Sequence, residues 1–201
     1  MTLAAPLYLL RHGETAWNTE RRMQGTKNSD LTERGRAQAL AVGRALAAEL
    51  ARAPGPTLFY RSPLGRVRET AAIVGAQLGI DLAEWREDAR LAELSYGAWE
   101  GSNWKEIEAA RPNALADWKA DPHGFCPPGG ETHFELRRRS AAFLAEVAAS
   151  GLRTVVVGHG VSGAVLRGLN LGLNAEAMFV LEKPQDAFFR LTACREERIS
   201  A

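Results

Sequence analysis

Two segments of this 201-residue chain set a histidine beside glycine, Arg11-His12-Gly13 and Gly158-His159-Gly160. Each directly follows an apolar run, 7–10 and 154–157, and a third run, 57–60, leads into Ser62-Pro63-Leu64-Gly65-Arg66. A neutral imidazole held in one tautomer is a nucleophile near neutral pH. Arginine forks match the oxygens of a phosphate, and helix N-termini and glycine-bearing turns favour anions. The chemistry these types share is phosphoryl transfer, in which catalysis is mostly positioning and charge stabilisation. Adjacent arginines disfavour imidazolium and so keep His12 nucleophilic. A departing alkoxide needs a proton, for which Glu93 and Glu100 in Glu93-Leu94-Ser95-Tyr96-Gly97-Ala98-Trp99-Glu100-Gly101 are the candidates.

For these groups to meet, three loops must leave one edge of a sheet, where open α/β sheets hold their ligands. Strands are expected at 7–10, 57–60, 80–85 and 154–157, with a last strand or hairpin over 187–199. A helix starts near Thr32, with Ala39, Val42, Leu46 and Leu50 along one face, and Pro54-Gly55-Pro56 ends it. Ser62 and Pro63 read as N-cap and first residue of a second helix reaching Leu78. Thr132-x-x-Glu135 is a capping box opening a helix to Ala149, and Gly158-His159-Gly160 turns into another ending at Leu171. Residues 97–130, rich in Trp, Gly and Pro, read as an excursion of short helices. Alternating strands and helices with buried strands imply an α/β sandwich with a largely parallel sheet.

The composition excludes several classes. A net charge of +1 gives no reason to expect nucleic acid, and the apolar N-terminal stretch is too short to span a bilayer. Arginine outnumbers lysine heavily, most of it assigned to solvated helix faces. Cys126 and Cys194 stand far apart, which fits a reducing cytoplasm rather than a disulfide scaffold. His123 with Cys126 makes half a zinc site without a second pair, so neither metal nor other cofactor is expected. His123 and His133 are assigned structural roles. One domain fits the length, and a homodimer is the default assembly.

In order, RHGETAWN, RMQG, LTERGRAQA, SPLGRVRETA, ELSYGAWEG and GHG occupy residues 11–160. Together they resemble the histidine phosphatase superfamily, the phosphoglycerate-mutase-like fold, across nearly the whole chain. The resemblance implies a three-layer α/β/α sandwich whose mostly parallel mixed sheet has one antiparallel strand, a single domain over 1–201. It implies His12 as the phosphorylated nucleophile and Glu93 as proton donor, leaving Glu100 a structural carboxylate. Arg11, Asn18, Arg66, His159 and Gly160 match phosphate-binding positions; by motif register the pocket arginine is Arg66, not Arg61. Thr15, Gln24 and Gly25 match positions near the phosphate or leaving group. Asp30 stands where proline is frequent.

The implied function is a cytoplasmic, metal-independent hydrolase of a small phosphomonoester. A cofactor-dependent phosphoglycerate mutase is the alternative. Gly158 before His159 favours the mutase; Trp99-Glu100-Gly101 in place of Leu-Gln-Gly, and a compact middle carrying only Lys105, Arg111 and Lys119, favour the phosphatase. A non-catalytic phosphate-binding protein is the second alternative. Residues 19–31 and 97–130 form the expected substrate rim, where Trp99, Trp104 and Trp118 either pack the leaving group or form the excursion's own core.

Overall fold

The computed structural model describes residues 2–201. Six strands form one sheet in the order β3-β2-β4-β1-β5-β6: β1 Leu7–Arg11, β2 Thr57–Arg61, β3 Arg86–Glu87, β4 Arg153–Gly158, β5 Ala187–Thr192 and β6 Arg195–Ser200. β1, β2, β3 and β4 pair in parallel, and β5 is antiparallel to both β1 and β6. One strand therefore runs against the other five, as expected. Parallel strands need crossovers of a dozen or more residues, which here are helices.

Alternate residues of the central strands serve two cores. Leu7, Leu9 and Val156 face helices α6 (His133–Ser150) and α7 (Gly160–Leu171), meeting Phe143, Val147 and Leu166. Tyr8, Leu10, Val155 and Val157 face α2 (Glu33–Arg52) and α3 (Gly65–Leu78), meeting Leu46, Val67 and Val74. β1 and β4 are buried almost throughout, which explains their continuous apolar runs.

Local signals hold where the side chain is free to cap. Thr32 accepts from Gly35 N at 3.0 Å, and Thr132 and Glu135 form the expected capping box. Two expectations need correction. The N-cap of α3 is Leu64, not Ser62, because Ser62 N continues the ladder to Val157 O and its hydroxyl pairs with His159. Residues 80–85 do not form a strand. Asp81 and Glu84 close a local capping box over a 3-10 turn, Leu82–Glu84, and only Arg86–Glu87 pairs with β2. Ile80 and Trp85 are apolar there because they pack on the α2/α3 core.

The excursion holds helices α4 (Trp104–Ala110) and α5 (Ala114–Ala120), and Trp99, Ile107 and Ala114 form its small core. Two short helices, α1 (Ala16–Thr19) and α8 (Ala175–Val180), complete the fold. Among the described residues no helix is long and apolar enough to cross a membrane.

Candidate active site

Register brings the loops together. Arg11 lies opposite Gly158 and Arg61 opposite Val157, so His12, His159 and Ser62 are each the first residue past a neighbouring strand. His12 N still donates to Gly158 O at 3.0 Å. Both histidines are buried, and their rings meet edge-on with centroids 5.4 Å apart.

His12 Nδ1 lies 2.7 Å from Gly13 O. A carbonyl only accepts, so Nδ1 carries the proton and Nε2 keeps its lone pair. Burial first, then the charges of Arg11 and Arg66, push the His12 pKa well below the usual imidazole value; the bond to Gly13 opposes them. Burial, Arg66 and the neighbouring ring do the same to His159, whose Nε2 pairs with Ser62 Oγ at 2.7 Å.

Arg66 is fully buried at the start of α3. Its guanidinium donates to Lys27 O at 2.6 Å and Gly25 O at 2.8 Å. Burial lowers its pKa to about 10, with Glu93 opposing, so it stays cationic at neutral pH. Arg11 donates to Lys183 O, and burial lowers it too. Among the described residues neither Arg11 Nε nor Arg66 Nε, both buried, has a partner, so each keeps a donor for an anion. Arg61 instead pairs with Glu87 at 2.8 Å.

Glu93 enters from the loop after the 3-10 turn Ala89–Leu91 and seats on the N-terminus of α7. Its oxygens accept from Leu94 N, Val161 N and Ser162 N at 3.0, 3.0 and 2.8 Å. Arg139 fixes that loop by donating to Arg90 O, Ala92 O and Glu93 O. Glu100 turns away from the reacting groups and ties two loops together. It accepts from Thr26 N, Lys27 N, Ser95 Oγ and Tyr96 N at 2.9–3.2 Å.

A cavity of about 310 Å³ is lined by Arg11, His12, Asn18, Gln24, Gly25, Arg66 and Glu93 among the expected residues. Thr15 lies behind it as the N-cap of α1, accepting from Gln24 Nε2 at 2.7 Å. His159 backs His12, and Gly160 opens α7 beside Arg11. Arg21, Arg22, Met23, Tyr96, Trp17 and Trp104 complete the walls.

Sequence reasoning missed several contributors. Gln185 donates to His12 O at 3.2 Å and to Asn18 Oδ1 at 3.1 Å. Thr15 N also donates to that oxygen, so the Asn18 amide NH2 is the end left for a ligand. No motif or periodicity marks Gln185; it reaches the site because β5 pairs beside β1. Ser62 was visible, but Ser-Pro is the commoner signature of a helix start. Among the described residues no three His, Cys, Asp or Glu side chains gather as a metal-ligand group.

The sequence model described as "Histidine phosphatase superfamily (branch 1)" matches residues 7–198. A probable phosphoglycerate mutase, GpmB of Salmonella paratyphi C, is 39% identical over 176 residues, 85% of this chain and 77% of that protein. The mycobacterial glucosyl-3-phosphoglycerate phosphatase solved with VO3 superposes with a TM-score of 0.80 at 29% identity, covering 96% of this chain and 97% of that one. Bacillus stearothermophilus YhfR gives 0.79 at 30% identity, covering 96% and 94%.

Proposed function

Because this chain belongs to branch 1 of the histidine phosphatase superfamily, we propose that it hydrolyses phosphomonoesters without a metal, through a phosphohistidine formed on His12. The observation that carries the reading is the bare Nε2 of His12, its tautomer set by Gly13 O, in a cavity also lined by Arg11, Arg66 and Glu93. VO3 in the similar mycobacterial phosphatase is an oxyanion of the kind these arginines suit.

In the first step His12 Nε2 attacks phosphorus as the ester P–O bond breaks. Arg11, Arg66, the Asn18 amide and His159 hold the non-bridging oxygens, with the Gly160 end of α7 adding its dipole. Glu93 gives the leaving oxygen its proton. Water then attacks the phosphohistidine, Glu93 takes the water's proton, the P–N bond breaks, and inorganic phosphate leaves. Gln24 and Gly25 border the leaving group, and Thr15 orients Gln24.

The mutase reading draws on the name of the Salmonella relative. A mutase holds a second anionic group and needs cations free to meet it. Here Arg21 and Arg22 are the added cations of the cavity wall, and Arg22 is paired with Glu20 and Glu106. The phosphatase reading is therefore preferred. Hydrolysis of p-nitrophenyl phosphate in EDTA, acid-labile phosphate on the protein, and loss of both in His12→Ala are expected. Conversion of 3-phosphoglycerate to 2-phosphoglycerate with trace 2,3-bisphosphoglycerate, without net phosphate release, would establish the mutase. Turnover of no ester at all would leave only phosphate binding.

A further inference from the structure

Beside the catalytic cavity lies a second one of about 210 Å³, walled by Trp104, Trp118, Phe125 and Phe179. The two share Met23, Tyr96 and Trp104, so they adjoin across one side-chain wall. The rings form a continuous lining. Trp104 meets Trp99 and Trp118 at centroid distances of 5.6 and 5.7 Å, Trp118 meets Phe179 at 6.4 Å, and Phe179 stacks on His133 at 4.4 Å. Two distant stretches build it, the 97–130 excursion and α8. Trp99 is buried core, whereas Trp104, Trp118 and Phe179 are only half-buried and face open space.

The two charged groups along this cavity are already engaged, while the buried Trp99 Nε1 has no partner among the described residues. Glu131 is held two-pronged by Arg139 at 2.7 and 2.8 Å. Lys183 Nζ donates to Phe179 O and Leu181 O, both at 2.9 Å. His133 is neutral at neutral pH, since burial and His123 lower its pKa to about 4. A polyol entering here would give up water for indoles that can donate but not accept, whereas an apolar ring gains from leaving water. The volume exceeds the ~150 Å³ apolar cavity that accommodates benzene.

We propose that this aromatic cavity receives the leaving group, and that the substrates are phosphomonoesters of apolar, ring-bearing alcohols rather than of sugars or glycerate. The proposal rests on the phosphomonoesterase reading and names its substrate class. The phosphate seats at His12 while the ring passes Tyr96 and Trp104 into the second cavity.

The test compares kcat/KM for 2-phenylethyl phosphate, ethyl phosphate and glycerol 3-phosphate, whose alkoxide leaving groups have similar intrinsic reactivity. Burying the phenyl ring should favour the first by roughly 50–100-fold over the other two. In Phe179→Leu and Trp118→Leu, with folding checked by thermal denaturation, that preference should shrink about tenfold. Glycerol 3-phosphate turned over as well as the phenyl ester, or both variants slowing all three esters equally, would overturn the proposal. Binding of 2-phenylethylphosphonate and ethylphosphonate, followed by tryptophan fluorescence, reads the cavity without turnover. Tighter binding of the phenyl compound supports the pocket even where no ester is hydrolysed, a result that would strike only the phosphomonoesterase reading. Equal affinities overturn the pocket whatever the activity.

Discussion

Replacing Gly25 by alanine places one methyl group where the loop that anchors Arg66 meets the Glu100 tie. Gly25 has φ +53°, and a Cβ there would lie 2.0 Å from Glu100 Oε1 and 2.6 Å from its Cδ. An L-residue pays about 1–2 kcal/mol for left-handed backbone. Glu100 cannot swing aside freely, because Thr26, Lys27, Ser95 and Tyr96 all donate to its carboxylate. Losing one or two such charge-assisted bonds costs about 1.5–3 kcal/mol each. The expected destabilisation is therefore roughly 2.5–8 kcal/mol, a fall in Tm of roughly 5 °C or more for a chain of this size. Function should suffer as well, since Gly25 O accepts from Arg66 Nη2 at 2.8 Å and a moved loop drags the guanidinium with it. A misplacement near 1 Å costs on the order of 100-fold in rate. Thermal denaturation and kcat/KM for p-nitrophenyl phosphate, measured on Gly25→Ala, check both parts. A Tm within about 2 °C of the parent, with kcat/KM within about twofold, would refute the view that Glu100 and Gly25 jointly position Arg66.

Glu93→Gln should lower kcat for alkyl phosphates by about 10²–10⁴-fold and for p-nitrophenyl phosphate far less, because p-nitrophenolate leaves without a proton. A leaving-group series is the measurement, and an equal loss across it would remove Glu93 as the acid. The depressed pKa of His12 places the acidic limb of the kcat/KM profile below the ordinary imidazole value of about 6.5. A limb at or above that value would mean that His12 is not what titrates there. Stability should follow the same histidines. His12, His159 and His133 take up protons less readily folded than unfolded, so below about pH 6.5 the unfolded chain binds more protons. Stability is then full above about pH 6.5 and declines as pH falls, down to about 4 for His133. Urea midpoints at about pH 7.5 and 5 check the sign, and a higher midpoint at the acid value would contradict it.

Much of the site was legible in the sequence because its chemistry is local to strand ends. Apolar runs stopping at Arg11-His12-Gly13 and Gly158-His159-Gly160 mark buried parallel strands, and such strands end at a common edge. The order of motifs then separated Arg66 from Arg61 and Glu93 from Glu100, and the structure places Arg66 and Glu93 in the cavity wall while Arg61 and Glu100 point elsewhere. The two misread elements share a cause. Ser62 and residues 80–85 obey local rules, but Ser62 is taken by a histidine 97 positions away, and the 80–85 backbone by a capping box that outbids strand pairing.

What the chain alone offered is the candidate groups, through residue type and the family's motifs, and the buried strands that carry them, through their apolar runs. What only the tertiary structure decided is how those groups are held. The His12 tautomer depends on which carbonyl lies beside Nδ1, and the Asn18 orientation on Gln185, in the loop just ahead of β5. Whether Trp104 and Trp118 are core or wall depends on α8 closing against the excursion. Such contacts join positions far apart in sequence, and a hydrogen bond of about 3 Å is set by the packing of whole layers rather than by either residue's type.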